Sequence, residues 1–463
     1  MKHTFLFLFL LVACTVGPDY ERPNNVSDKK IDTVLKSEIP HEKTFLKIKD
    51  KTLKSLIETA LKNAPDLKIA KTKLKQARAS LGITTAEALP TLDAGAKYNY
   101  LKESKNIGLL MDEDYYQIGF DASWELDIFG SNRRKRESSE AFLRQMIENL
   151  KDVQISLSAE IMMNYVNLRT SEALLKNATE TLKRLKTLYD TTENKYVAGL
   201  ISEADLKQAR YNLTQTEQTI QQLQTQITNY QNALAFLVGK LPTELNDFLK
   251  KNTANTDVLD YTYMTSVPAR IIRNRPDVRM AEEQLIAQNA QIGVAIAQMY
   301  PDVSLSALFG LQSLNANKLF NHKSYTMNFI PEISLPLFHF GALKENVNLQ
   351  KALTEEMRET YEKSVLNAVM EIANTLKSFQ NTGQELLSAE NALEQMRGKL
   401  DLIRRRHDSG LTSIDDVVKA EINVLNTLSD LTTTNNQLYK SIIGLYKATG
   451  GFDFKLKYPP KTR

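Results

Sequence analysis

Residues 115–130 read YYQIGFDASWELDIFG. Tyr116, Ile118, Phe120, Ala122, Trp124, Leu126 and Ile128 occupy every second place, with Gln117, Gly119, Asp121, Ser123, Glu125 and Asp127 between them. A period of two over this length predicts a β-strand with one apolar and one wet face. Upstream, residues 91–100 (TLDAGAKYNY) set Leu92, Ala94, Ala96, Tyr98 and Tyr100 opposite Asp93, Lys97 and Asn99, so the two runs predict a hairpin. Alternating strands of about ten residues that carry aromatics suit a membrane-spanning barrel. A half-buried hairpin of a soluble α+β domain shows the same alternation, and one hairpin does not separate the two.

The chain repeats itself at an offset of 211 residues, without gaps, from about residue 63 to residue 239. NAPDLKIA (63–70) falls on NRPDVRMA (274–281), Pro90 on Pro301, Gly130 on Gly341, Gly199 on Gly410, Asp205 on Asp416 and Gly239 on Gly450. Such a register over so many turn residues marks a duplication. A second hairpin follows: Val303, Leu305, Ala307, Phe309 and Leu311, then Tyr325, Met327, Phe329, Ile333, Leu335 and Leu337, alternate with polar or small residues. Pro331 and Pro336 predict bends or bulges there. Four strands are too few to close a membrane barrel, which begins at about eight. An open edge in lipid would leave backbone groups without partners, so a spanning reading requires several chains to share one barrel.

Between the hairpins the pattern is helical. Residues 131–196 hold no proline or glycine and would extend about 100 Å as a helix. Ile161, Leu168, Leu175, Leu182 and Tyr189 recur every seven residues, a coiled-coil-like seam. Residues 342–407 repeat the plan. Gly199 and Gly410 reverse the chain, and Ser202 and Ser413 are placed to cap the returning helices. A single shorter helix is expected before each hairpin, over 53–88 and 267–298. Residues 27–50, 240–265 and the tail from 451 read as irregular structure outside the helices. The expected organisation is a signal peptide at 1–13, an anchored segment at 14–52, a first repeat at 53–239 (hairpin 91–129, helices 131–239), a linker at 240–265, a second repeat at 266–450 (hairpin 302–340, helices 342–450) and a tail at 451–463. The hairpin tips near 103–114 and 312–323 are polar.

Composition narrows the function. The net charge of +4 and the short clusters RRKR (133–136) and RRRH (404–407), each within helical pattern, do not make a nucleic-acid surface. Cys14 is the only cysteine, which excludes an internal disulfide, a CxxC pair and a thiolate metal cluster. His3, His41, His322, His339 and His407 show no metal-ligand spacing, and no nucleophile elbow, phosphate loop or dinucleotide fingerprint is present. No enzyme activity, cofactor or metal is expected. The opening MKHTFLFLFLLVAC has a basic start and an apolar run too short to span a bilayer, an export signal ending at Cys14.

Leu11 to Cys14 (LVAC) resembles a bacterial lipobox, and CTVGPDYERP (14–23), RPDVR (275–279), AQIGVAIAQMYP (290–301), the duplication and the glycine reversals together resemble the lipoprotein branch of the TolC-like outer-membrane factor family. The resemblance implies the exit duct of a tripartite efflux pump: a homotrimer whose four strands per chain form a twelve-stranded barrel in the outer membrane, continued by an α-helical periplasmic tunnel. It implies lipidation of Cys14, with Thr15 favouring the outer membrane, and partnership with a periplasmic adaptor and an inner-membrane pump of the resistance-nodulation-division class. The adaptor would meet the tips at Gly199 and Gly410, with Asp205 nearby. The entrance would be closed by Asp415, Asp416 and Lys419, where a ring of Asp416 carboxylates could raise its own pKa or pair with Lys419. Two rivals remain: a type I secretion duct, and a lipid-anchored coiled-coil scaffold whose hairpins never enter lipid.

Overall fold

The computed structural model describes residues 15–23, 31, 46–102, 104, 106, 113–251, 258–261 and 267–451. The described elements are β1 (Leu46–Ile48), α1 (Lys51–Asn63), α2 (Pro65–Glu87), β2 (Thr91–Leu101), β3 (Glu113–Glu125), α3 (Ser131–Val197), α4 (Glu203–Leu237), α5 (Asn246–Lys251), β4 (Leu259–Tyr261), α6 (Ala269–Arg273), α7 (Pro276–Ala297), β5 (Asp302–Ser313), β6 (Tyr325–Ser334), α8 (Ala342–Asp408) and α9 (Ile414–Ala448). The chain divides into two compact units, one of residues 1–24, 72–148 and 279–363, the other of residues 25–71, 149–278 and 364–463.

The first unit holds an antiparallel sheet in the order β2-β3-β5-β6. Its register aligns the two hairpins across the chain: Ala94 faces Phe120, Phe120 faces Phe309 and Phe309 faces Met327. Ala96, Ile118, Leu311 and Tyr325 form the next row on the same face. Strands alternate by two, so this register gathers the large apolar side chains on one face, with Leu308 and Ile330 as intrusions on the other. The alternation outlasts the strands, because Leu126, Ile128, Leu335 and Leu337 lie beyond their ends. Pro331 causes no bulge; it sits opposite Leu305 in unbroken register on β6, an edge strand of this sheet, where a missing N–H is tolerated. Trp124 donates from Nε1 to the Ala88 carbonyl at 3.2 Å, and Phe129 stacks on Tyr300 at 4.7 Å.

The second unit is built on helices. Ile161 and Leu168 of the predicted seam are fully buried with Met162 and Tyr165, while Leu175, Leu182 and Tyr189 are half-buried. The helices expected as single runs before each hairpin are broken. α1 stops before Pro65 and α6 before Pro276, because the residue preceding proline is pushed out of the helical region while proline itself suits the first helical position. The segments expected to be irregular also carry structure. β1 pairs antiparallel with β4, and Leu249 of α5, Val258 and Leu259 are buried rather than outside the core. Asp50 fixes this region, its Oδ1 accepting from the amides of Thr52 (2.7 Å) and Leu53 (3.1 Å) and its Oδ2 from the Tyr165 hydroxyl (2.7 Å).

Candidate functional site

Two features are candidates for function, one in each unit. In the first unit the apolar sheet face is open: Phe120, Phe309, Met327, Phe329 and Ile333 are each more than half exposed. On the opposite face Gly95, Gly119 and Gly310 line up across three strands. A Cβ on Gly119 would lie 2.6 Å from the Phe309 oxygen and 2.8 Å from Gly310 Cα, so β3 and β5 approach as only glycine permits. At the foot of β3 the segment 15–23 is strapped down. The Val16 amide donates to the Phe129 carbonyl at 3.1 Å, and Arg134 donates to the carbonyls of Val16 (3.2 Å) and Gly17 (3.1 Å) and to Asp19 (2.9 Å). Arg22 Nε and the Tyr20 hydroxyl both donate to Glu282, at 2.6 and 3.3 Å. The VGPDYERP run is thus a strap across α3 and α7. Cys14, the signal segment and the tail from residue 452 lie outside the described residues.

In the second unit α3 turns into α4, and α8 into α9, by the same device. The Gly199 amide donates to Tyr196 and the Leu200 amide to Lys195; Gly410 and Leu411 donate likewise to His407 and Arg406. This helix-ending pattern needs a left-handed residue, and Gly199 and Gly410 have φ of 71° and 72°. Capping boxes follow, Ser202 with Asp205 and Ser413 with Asp416.

Two of the candidate gate residues, Asp415 and Asp416, are engaged within one chain. The Asp416 carboxylate accepts from the hydroxyls of Thr412 (2.6 Å) and Ser413 (2.8 Å) and from the Ser413 amide (3.2 Å). These bonds, Thr412's first and then Ser413's, favour the charged form and hold its pKa at about 2, with Lys419 adding only the weakest pull. In the single chain this is opposite to the upward shift expected of a ring, and among the described residues no ion pair joins Asp416 to Lys419, the alternative to that shift. Asp205 is lowered by the same kind of bonds from Ser202. Asp415 instead forms an ion pair with Lys195, tying the end of α3 to the start of α9. Further along, Glu421 receives Arg184 at 3.1 Å and Arg404 at 2.6 Å, joining α3, α8 and α9. Sequence reading missed Lys195, Arg184 and Glu421. Their partners lie far away in sequence, and only the charge pattern along each helix hints at them.

A junction at the base of α7 gives the RPDVR motif its physical content. Buried Arg275 donates to the Ala448 carbonyl at the end of α9 (2.5 Å), to Asp277 (2.8 Å) and to Glu371 (2.7 Å). Near it Asp152 has its pKa raised, by burial first and the charge of Asp277 second. Among the described residues no helix is long and apolar enough to cross a membrane, and no group of side chains is arranged to hold a metal.

The family model described as outer membrane efflux protein matches residues 56–240 and 267–451, the two repeats. The chain is 32% identical over 461 residues to the solvent efflux pump outer membrane protein SrpC of Pseudomonas putida, covering 96% of each. It is 28% identical to the cation efflux system protein CusC of Escherichia coli K12, over 96% of this chain and 98% of that protein. The crystal structure of the CmeC outer membrane channel of Campylobacter jejuni superposes with a TM-score of 0.81 at 26% identity, over 96% of each chain.

Proposed function

The chain belongs to the outer membrane efflux protein family, and from that premise we propose that it is the outer-membrane exit duct of a tripartite efflux system. It would conduct small molecules passively from a periplasmic adaptor and an inner-membrane pump of the resistance-nodulation-division class. The observation that carries this is the open sheet. Four strands with an exposed apolar face and unpaired outer edges at β2 and β6 cannot stay so in lipid. Three copies sharing a twelve-stranded barrel pair every edge and leave the apolar face to lipid.

The remaining assignments belong to the same proposal. Lipidation of Cys14 is favoured by the strap, which fixes the residues just after it at the foot of β3. Gly199, Gly410 and Asp205 are the adaptor contacts at the helix tips. Asp415, Asp416 and Lys419 form the entrance, with the Asp415 to Lys195 pair as a latch within each chain. Breaking that latch frees the start of α9 from α3.

Single-channel conductance in planar bilayers tests both levels, comparing wild type with Asp415→Asn and Asp416→Ala. A small conductance that rises in Asp415→Asn supports duct and latch. Appreciable conductance unchanged in both variants keeps the duct and removes the gate. An inserted, folded oligomer that conducts in none of the three overturns the duct.

A further inference from the structure

The apolar face of the sheet is not flat. It holds a hollow of about 650 Å³ across β2, β3 and β5, within the size range of ligand pockets. The floor is low, with Ala94 and Ala96 on β2 beside the glycine backbone of Gly95, Gly119 and Gly310. Tyr325 stands edge-on to Phe309 at 5.2 Å to make one wall, and Phe320 reaches the hollow from the loop between β5 and β6. That loop is held by its own hydrogen bonds: Ser324 Oγ donates to the Lys318 carbonyl at 2.7 Å, and the Asn321 side chain accepts from the Lys323 amide at 3.0 Å.

Depth and charge indicate what fills the hollow. Leu311 and Phe309 lie two and four residues inside the end of β5 at Ser313. At roughly 3.3 Å per residue they sit about 7 and 13 Å below that end. In a hydrocarbon core about 30 Å thick this is the half next to the hairpin tips, at the end of the strands opposite the helices. The loop that brings Phe320 is basic, because residues 303–331 contain Lys318, His322 and Lys323 and no aspartate or glutamate. Both lysines are exposed. The duplication does not repeat this combination. At the offset of 211 residues Leu305 and Phe329 take the places of Ala94 and Ile118, and the segment equivalent to the Phe320 loop carries Glu103, Asp112, Glu113 and Asp114.

We propose that the hollow seats one acyl chain of a phosphorylated outer-leaflet lipid, with its phosphate held by Lys318 and Lys323. The inference rests on the reading of the chain as an outer-membrane duct, and it assigns a lipid of stated chemistry to one place on the duct wall. A lipid without a phosphate would fill the hollow and leave the two lysines without a counter-ion. The hollow straddles the β3 to β5 pairing, which joins the two hairpins, so a lipid seated there clamps one hairpin to the other.

Native mass spectrometry of the full-length oligomer, delipidated in detergent, tests the site with lipid A, a bisphosphorylated and acylated glycolipid, and with its dephosphorylated form. Lipid A is expected to add in discrete steps up to one per chain, about tenfold or more tighter than the dephosphorylated form. Ala94→Leu, which installs the residue found at the equivalent place, should fill the hollow and abolish those steps. Lys318→Gln with Lys323→Gln should lower lipid A to the affinity of the dephosphorylated form. Equal affinity of wild type for the two lipids, or lipid A binding that neither change weakens, overturns the proposal. So does a wild type that takes up no lipid A until Leu109, Leu110 and Met111 are replaced by serine, because the hollow is then covered by the chain itself. Single-channel conductance of the same preparations separates this from the reading beneath it. A wild type that conducts and binds no lipid A loses the site and keeps the duct, whereas one that never inserts into a bilayer overturns the duct itself. The lysine pair, exposed on a loop, decides the matter if Ala94→Leu does not insert.

Discussion

At Asp416 the folded chain holds a carboxylate in its charged form by hydrogen bonds from Thr412 and Ser413, and the consequence for pH follows directly. Its pKa is held at about 2, below the ordinary 3.8. The stability it lends to the start of α9 is therefore complete above the ordinary value and fades as pH falls from there towards 2. Conductance should show no inflection from this residue between about pH 5 and 7; one found there, and removed by Asp416→Asn, would mean that the assembled ring reverses the single-chain shift. Arg275 offers a test of stability rather than gating. Arg275→Met strands the Ala448 carbonyl and removes three hydrogen bonds to the carboxylates of Asp277 and Glu371, for an expected cost of about 2–3 kcal/mol read from the denaturant midpoint. The RPDVR motif is visible in the sequence, but the Ala448 and Glu371 that give it meaning sit far along the chain. Single residues with distant partners are the least legible part of this protein.

Elements are more legible, because each declares itself by a local period. The two alternating runs form β2 and β3, and the absence of proline and glycine over 131–196 yields one helix of 67 residues. The departures are equally local. Pro65 and Pro276 break helices that the apolar periodicity alone runs together, and Pro331 suggests a bulge where β5 and β6 keep an unbroken register. At the reversals the requirement is for backbone conformation, since a Cβ on Gly199 or Gly410 would meet nothing within 4 Å. Gly410→Ala should therefore cost about 1 kcal/mol through its left-handed backbone, and Gly410→Asn less. Hydrogen exchange at the amides of Gly410 and Leu411 would show the loss locally. Gly119 has the opposite reason for being glycine. In Gly119→Val the side chain would meet the backbone of Phe309 and Gly310, and the expected result is a chain that keeps its helical content by circular dichroism but inserts no conducting barrel.

At the scale of the molecule, the duplication explains why the chain looks unfinished. One joint between repeats is closed within the chain by Arg144, Glu148, Arg279 and Glu283, whereas on the equivalent face of α2 a Cβ on Gly82 would meet nothing within 4 Å. The row of Gly95, Gly119 and Gly310 has a last consequence, which concerns manufacture more than strength. A cask made of flat staves must be bent as its hoop is driven on, and the work of bending falls due at the moment of closing. Here the two middle staves of each chain are already drawn together at Gly119 and Gly310, at a level where only Thr326 of the four strands carries a side chain.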